Sequence, residues 1–238
     1  KSLLVAQSDR AGRFGINKMI VLKSGRKVLL DAQRVLKNSG IVVLPTDTAY
    51  GLGVDATNHS AVRKLYRLKG RSFRKPVHVI VASLAQAKKI AEFDRRAEKV
   101  FKKFLPGPLT LVLPLKSNPF PNPSHKGRGS TTWKLLSAGT GKIGVRMPKN
   151  KIAHDLVKKL GRPITATSAN VSGQPGTYNI SAIKKQFTHR RLKPDLILDA
   201  GSLPRVRPST VLDLTEKRAR ILRQGPISLK DINLVLSS

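Results

Sequence analysis

The 238-residue sequence has no cysteine, which rules out disulfides, thiolate metal ligands and a cysteine nucleophile. Acidic residues are scarce: 13 Asp and Glu stand against 46 Lys and Arg, a formal net charge of +33. From Lys99 to His154 there is no carboxylate at all, while eleven Lys or Arg fall in the same stretch. A field of that sign attracts polyanions such as nucleotides, nucleic acid or an anionic membrane surface. The charges are spread along the chain, so a general basic bias that serves solubility is the competing account. No apolar run is long enough to cross a bilayer, which points to a soluble protein of the cytoplasm or an organellar matrix. The five histidines lack HExxH-type spacing, which speaks against a metal cage. Neither GxxxxGK[ST] nor GxGxxG occurs, so the two standard nucleotide loops are missing.

What is present suits one α/β domain. Hydrophobic residues make up 39% of the chain, enough for a core. Residues 1–18 carry neither a sustained period nor caps, and 1–20 read as an extension outside the fold. Residues 21–230 read as the domain, and 231–238 as a tail. Helical spacing covers 28–37, a helix capped by Asn58, 84–92, 95–104 behind Asp94, 152–160 and 180–187. Strands are predicted at 41–44, 77–82, 109–113, 143–147, 163–167 and 196–198, with a hairpin at 210–214 and 219–222. Residues 117–141, rich in Pro, Gly, Ser and Thr among Lys126, Arg128 and Lys134, read as a long basic loop, a candidate lid.

The stretch from Ile41 to Gly53 organises the rest. Four apolar residues make a buried strand, Pro45 ends its ladder, and Thr46, Asp47 and Thr48 follow at once. Tyr50, Gly51 and Gly53 then read as a turn whose glycines let backbone approach a ligand. Polar groups past a strand end mark the sites of open α/β sheets. They also cap loop backbone, and alone the cluster reads as readily that way. Similar clusters recur at Lys69 and Arg71, at Arg146, and at Ser168 and Asn170. Together they supply the cations, hydroxyls and amides that bind phosphate.

Seven motifs occur in order: P-T-D-T-A-Y-G-L-G at 45–53, K-G-R at 69–71, P-G-P-L-T at 106–110, G-V-R-M-P at 144–148, S-A-N-V-S-G at 168–173, P-S-T-V-L-D at 208–213 and L-R-Q-G at 222–225. As a set they resemble the YrdC family, the threonylcarbamoyl-adenylate synthases, over about Val21 to Ile227. The resemblance implies a single-domain, twisted, open mixed sheet flanked by helices. This YrdC-like fold is akin to that of DHBP synthase RibB and has an electropositive cavity. It implies an enzyme that joins L-threonine, bicarbonate and ATP, with Mg²⁺ on the ATP and no organic cofactor. The product would serve N6-threonylcarbamoylation of adenosine 37 in tRNA through a downstream transferase machinery.

Carried over by motif, the ATP-binding residues are Lys69, Arg71, Lys142, Ser168, Asn170 and Arg223. Lys69 and Arg71 act electrostatically, and no side chain is assigned as acid or base. Thr46 and Arg146 would face threonine, with Arg146 clamping its carboxylate. His78 is a further threonine-binding candidate. A histidine has that role in some relatives at a different offset, and a packed strand-start residue is the other reading. Lys142 stands where relatives often carry Thr, and its charge would keep phosphate binding. Gly176 stands where Ser is common. Two other readings compete. One is a non-catalytic YrdC-like protein that binds double-stranded RNA or the ribosome, and the other is a carbamoyl-adenylate domain of hydrogenase maturation. The lack of zinc-finger cysteines and of an acylphosphatase-like segment counts against the second.

Overall fold

Strands without polar residues need cover on both faces, and that requirement shapes this molecule. In the computed structural model, which describes residues 19–23, 25–117, 119–120 and 128–237, β2 (Val42–Pro45) is wholly buried. Val42 and Leu44 enter one hydrophobic cluster, while Ile41 and Val43 enter another. This is the two-residue alternation of a strand. In β8 (Leu196–Asp199), Leu196 and Leu198 face the first cluster and Ile197 the second. The first cluster is closed by α1 (Arg26–Lys37) and α6 (Lys151–Leu160). The second is closed mainly by α2 (His59–Lys69), α4 (Arg95–Phe104) and α7 (Ile180–Phe187).

The remaining strands are β1 (Ile20–Lys23), β3 (Tyr50–Gly53), β4 (His78–Ile80), β5 (Leu109–Pro114), β6 (Lys142–Arg146), β7 (Ile164–Ser168), β9 (Thr210–Asp213) and β10 (Arg220–Arg223). With β2 and β8 they form, among the described residues, a ten-stranded mixed sheet in the order β1-β8-β2-β3-β7-β4-β6-β5-β9-β10. The pairs β1–β8, β2–β8, β4–β6 and β5–β9 are parallel, and the others are antiparallel. Helix starts follow the sequence signals: Asn58 accepts from Ala61 N at 3.0 Å, and Asp94 from Ala97 N at 2.8 Å. Gly70 ends α2 in the left-handed region (φ 61°), where a side chain would be strained, and so turns Arg71 away from the helix axis. No helix among the described residues is long and apolar enough to cross a membrane.

Five expectations change. Residues 50–53, read as a turn, are strand β3, paired antiparallel with β2, and the turn itself is 46–49. Glycine is required there by packing: a Cβ on Gly53 would lie 2.5 Å from Ile164 Cγ2. The loop expected over 117–141 contains α5 (Arg128–Leu136), whose Trp133 and Leu136 are buried in the core. Lys126 lies outside the described residues. The helix expected over 84–92 is α3 (Leu84–Lys88), because Ala91 already bridges to Leu115. Ile20, placed in an extension, begins edge strand β1, while residues 1–18 lie outside the described residues. Residues 231–237, read as a tail, belong to α8 (Leu229–Ser237), which packs on α4 and buries Ile232 fully.

Candidate active site

The turn between β2 and β3 is held by its own threonine. Thr46 Oγ1 donates to the Ala49 carbonyl at 2.7 Å and accepts from the Thr48 and Ala49 N–H groups at 3.2 and 3.3 Å. The capping reading of this residue is therefore correct as well as its place in the cavity. Arg146 reaches this turn from β6. Its Nη2 donates to Thr48 Oγ1 at 3.0 Å and pairs with Asp47 Oδ1. Both charged side chains are only 11% exposed, and Asp47 Oδ2 and Arg146 Nε have no hydrogen-bond partner. Buried orphan atoms of this kind are rare in folded proteins and call for a reason. Burial pulls the Arg146 pKa down and Asp47 opposes this only in part, but a guanidinium stays charged at neutral pH.

The K-G-R and S-A-N motifs meet through one buried ammonium. Lys69 is 2% exposed, and its Nζ donates to Ser168 O at 2.5 Å, Asn170 O at 2.7 Å and Asn170 Oδ1 at 3.0 Å. Three acceptors exhaust the three donors of an ammonium. Burial, then the charge of Arg71, pulls its pKa down to about 7, while only the protonated form can satisfy all three partners. Ser168 Oγ donates to Asn170 Oδ1 at 2.5 Å, and Asn170 Nδ2 donates to the Gln174 carbonyl. Lys69 does not line the cavity. It lies beneath the S-A-N turn and shapes it.

The cavity itself measures about 410 Å³, within the range of small-molecule sites. Arg71, Arg146 and Arg223 line it, and no carboxylate does. Arg71 is braced by the carbonyls of Lys75 (3.3 Å) and Pro76 (2.8 Å), and Arg223 by Ser209 O (2.8 Å) and Oγ (3.0 Å). Burial lowers both guanidinium pKa values. Burial and the charges of Arg223, Arg71 and Arg146 lower His78 to about 4, so its ring is neutral near pH 7. Its ring lies over Gly144, where an added Cβ would fall 2.4 Å from Cδ2. His78 is thus both packed and part of the lining.

Seven sequence-predicted residues come together on this cavity: Thr46, Arg71, His78, Arg146, Ser168, Asn170 and Arg223. Lys142 does not. It starts β6, four residues or about 13 Å of strand from Arg146, and pairs with Asp213 at 3.2 Å. Sequence reasoning missed Asp47 as the partner of Arg146, although it stands inside P-T-D-T. It also missed Tyr50, whose hydroxyl donates to Gly201 O (2.7 Å) and accepts from Ala200 N (2.9 Å). That bond ties the strand to the loop before β9, from which Val206, Pro208 and Ser209 reach the cavity. The distance of about 150 residues hides such a partner from any local pattern.

The family model Sua5/YciO/YrdC, described as "Telomere recombination", matches residues 34–225. This chain belongs to the Sua5/YciO/YrdC family. A threonylcarbamoyl-AMP synthase of Pyrococcus abyssi is 36% identical over 202 residues, covering 84% of this chain and 55% of the relative. A relative from Methanocaldococcus jannaschii is 32% identical over 207 residues, 87% of this chain and 90% of its own length. The chain thus spans about half of the first relative and most of the second. Among solved structures, P. abyssi Sua5 complexed with L-threonine superposes with a TM-score of 0.79 at 32% identity, covering 92% of this chain and 61% of that one. Escherichia coli YciO, at 24% identity and a TM-score of 0.73, shares the Sua5/YciO/YrdC fold over 91% of this chain and 99% of its own.

Proposed function

We propose that the cavity makes threonylcarbamoyl-AMP from L-threonine, bicarbonate and ATP, releasing pyrophosphate, so that the chain acts as a nucleotidyltransferase. The observation that carries this is the convergence of Arg71, Arg146 and Arg223 on one cavity with no carboxylate in its lining. The likeness to a threonylcarbamoyl-AMP synthase and to Sua5 bound to L-threonine supports the choice of substrates. In the final step a carbamate oxygen bonds to the α-phosphorus of ATP, and the bond to the bridging oxygen breaks, so pyrophosphate leaves with the electron pair. Such a step needs alignment and charge neutralisation more than a strong base.

The residues divide accordingly. Arg71 and Arg223, each braced by backbone carbonyls, present fixed positive charge to phosphate. Arg146, which lines the cavity and is held in place by Asp47 and Thr48, presents its positive charge to the amino-acid end. Neutral His78 can bond a hydroxyl without adding charge. Ser168 gives its only proton to Asn170, leaving lone pairs for a ribose hydroxyl. Lys69 is a positioning residue. Mg²⁺ would arrive on the ATP phosphates. The adenylate would then pass to a transferase acting on tRNA.

The test is pyrophosphate release with mass detection of the adenylate. Release should require both L-threonine and bicarbonate, and L-threonine should be used clearly better than L-valine, which lacks the hydroxyl. Release that needs neither substrate, or equal use of valine, would remove the assignment.

A further inference from the structure

The loop that carries Arg71 to the cavity exposes an aromatic ring on its outer side. Phe73 is 43% exposed, in a protein with few aromatics. One part of the ring rests on Tyr66, with centroids 5.0 Å apart, and the Arg63 guanidinium lies 5.8 Å from its centroid. Exposed Arg67 stands one helical turn after Arg63 on the same face of α2, and exposed Arg74 adjoins Phe73 in sequence. From α7's far end, Arg190 brings its guanidinium to within 3.7 Å of where a Gly70 Cβ would lie. None of Arg63, Arg67, Arg74 and Arg190 pairs with an acid among the described residues. No carboxylate occurs in sequence between Asp55 and Glu92, or between Asp155 and Asp195. The patch is therefore cationic without internal compensation.

Helix-end compensation does not account for it. Arg67 lies in the last turn of α2, where a cation suits the helix dipole. Arg63 and Arg74 do not, and a dipole gives no reason for a bare phenyl ring. A half-exposed ring propped at 35° on a second aromatic and rimmed by guanidinium groups without acidic partners is the equipment of a base-stacking platform. Bases stack on the ring while arginines neutralise the flanking phosphates.

We infer that Phe73, with Arg63, Arg67, Arg74 and Arg190, binds an unpaired stretch of RNA beside the mouth of the cavity. The choice of RNA over DNA rests on the proposed function, whose product is destined for an RNA base. The platform itself does not rest on it. Phe73 and Arg74 lie between Arg71 and Pro76, which both line the cavity, so a bound strand would sit next to the site where the adenylate forms.

The experiment uses the full chain and a fluorescent oligouridine of about a dozen nucleotides, with anisotropy followed across a salt series. Phe73→Leu keeps an apolar side chain on Tyr66 but removes the stacking face. It should weaken binding about tenfold, since stacking on an aromatic is worth that order per base. Arg63→Gln with Arg74→Gln should reduce the slope of log affinity against log salt by about 1.4, or about 0.7 for each phosphate no longer neutralised. Lys158→Gln with Lys159→Gln, on the opposite face of the sheet, should change neither. The same preparations, assayed for pyrophosphate release without RNA, should match the unmodified chain. RNA binding and adenylate synthesis therefore fail independently. Equal affinity of Phe73→Leu and the unmodified chain, or an unchanged salt slope in the arginine variant, would overturn the platform. Equally tight binding of polyglutamate would overturn it too, marking an acidic protein as the partner. Stronger binding of the matching DNA strand would overturn the choice of RNA.

Discussion

Asn170 shows how one side chain can look like a ligand group and act as framework. Its Oδ1 accepts from both Lys69 and Ser168, and its Nδ2 donates to Gln174 O. Asn170→Ala therefore removes an acceptor from a buried ammonium, at a cost of about 1–3 kcal/mol. Urea unfolding should show that loss together with a fall in product formation. Lost activity with unchanged stability would mean that Asn170 serves the ligand alone. His78 supplies a pH signature. Its folded pKa of about 4 lies below the ordinary value of 6.5, so between those values the unfolded chain takes up the proton first. Stability should fall as pH drops from about 6.5 towards 4, and His78→Gln should flatten part of that decline. A decline of equal steepness in the variant would place the titration elsewhere.

At the level of elements, the buried parts are the legible ones. Ile41 to Leu44 announces a strand because an unbroken apolar run admits little else. Asn58 and Asp94 announce helix starts because their side chains cap the first turn locally. The failures share a cause: a distant partner overrides local composition. Gly51 and Gly53 suggest a turn, but they serve a strand pressed against Ile164. Thr131 to Leu136 sits among Gly and Ser, yet Trp133 pulls a helix onto the core. The site is legible as motifs, whereas the partners of Lys69, Lys142 and Asp47 are not, because they lie far away in sequence. Helix α8, most of which reads as a tail in the sequence, should prove structural. Ile232→Ala should cost about 2–5 kcal/mol by opening a cavity against α4. A change below about 0.5 kcal/mol in urea unfolding would return residues 231–237 to the status of a tail.

Across the whole molecule, a net charge of +33 needs more than one explanation. Part of it is placed: Arg71, Arg146 and Arg223 are braced around the cavity by hydrogen bonds that fix their directions. Much of the remainder lies on exposed helix faces, where it favours solubility and draws polyanions. Lys142 separates these two populations, since it is a cation from the same motif region that turns to Asp213 and away from the cavity. The most direct measurement is adenylate formation from ATP, L-threonine and bicarbonate by Arg71→Gln, Arg223→Gln and Lys142→Gln in parallel. The two arginine variants should lose about 100-fold or more, as expected when a preorganised charge is removed from a reacting phosphate, and Lys142→Gln should stay within about twofold of the unmodified chain. Near-normal turnover by folded Arg71→Gln and Arg223→Gln, or a loss confined to Lys142→Gln, would contradict the placement of the reaction in this cavity.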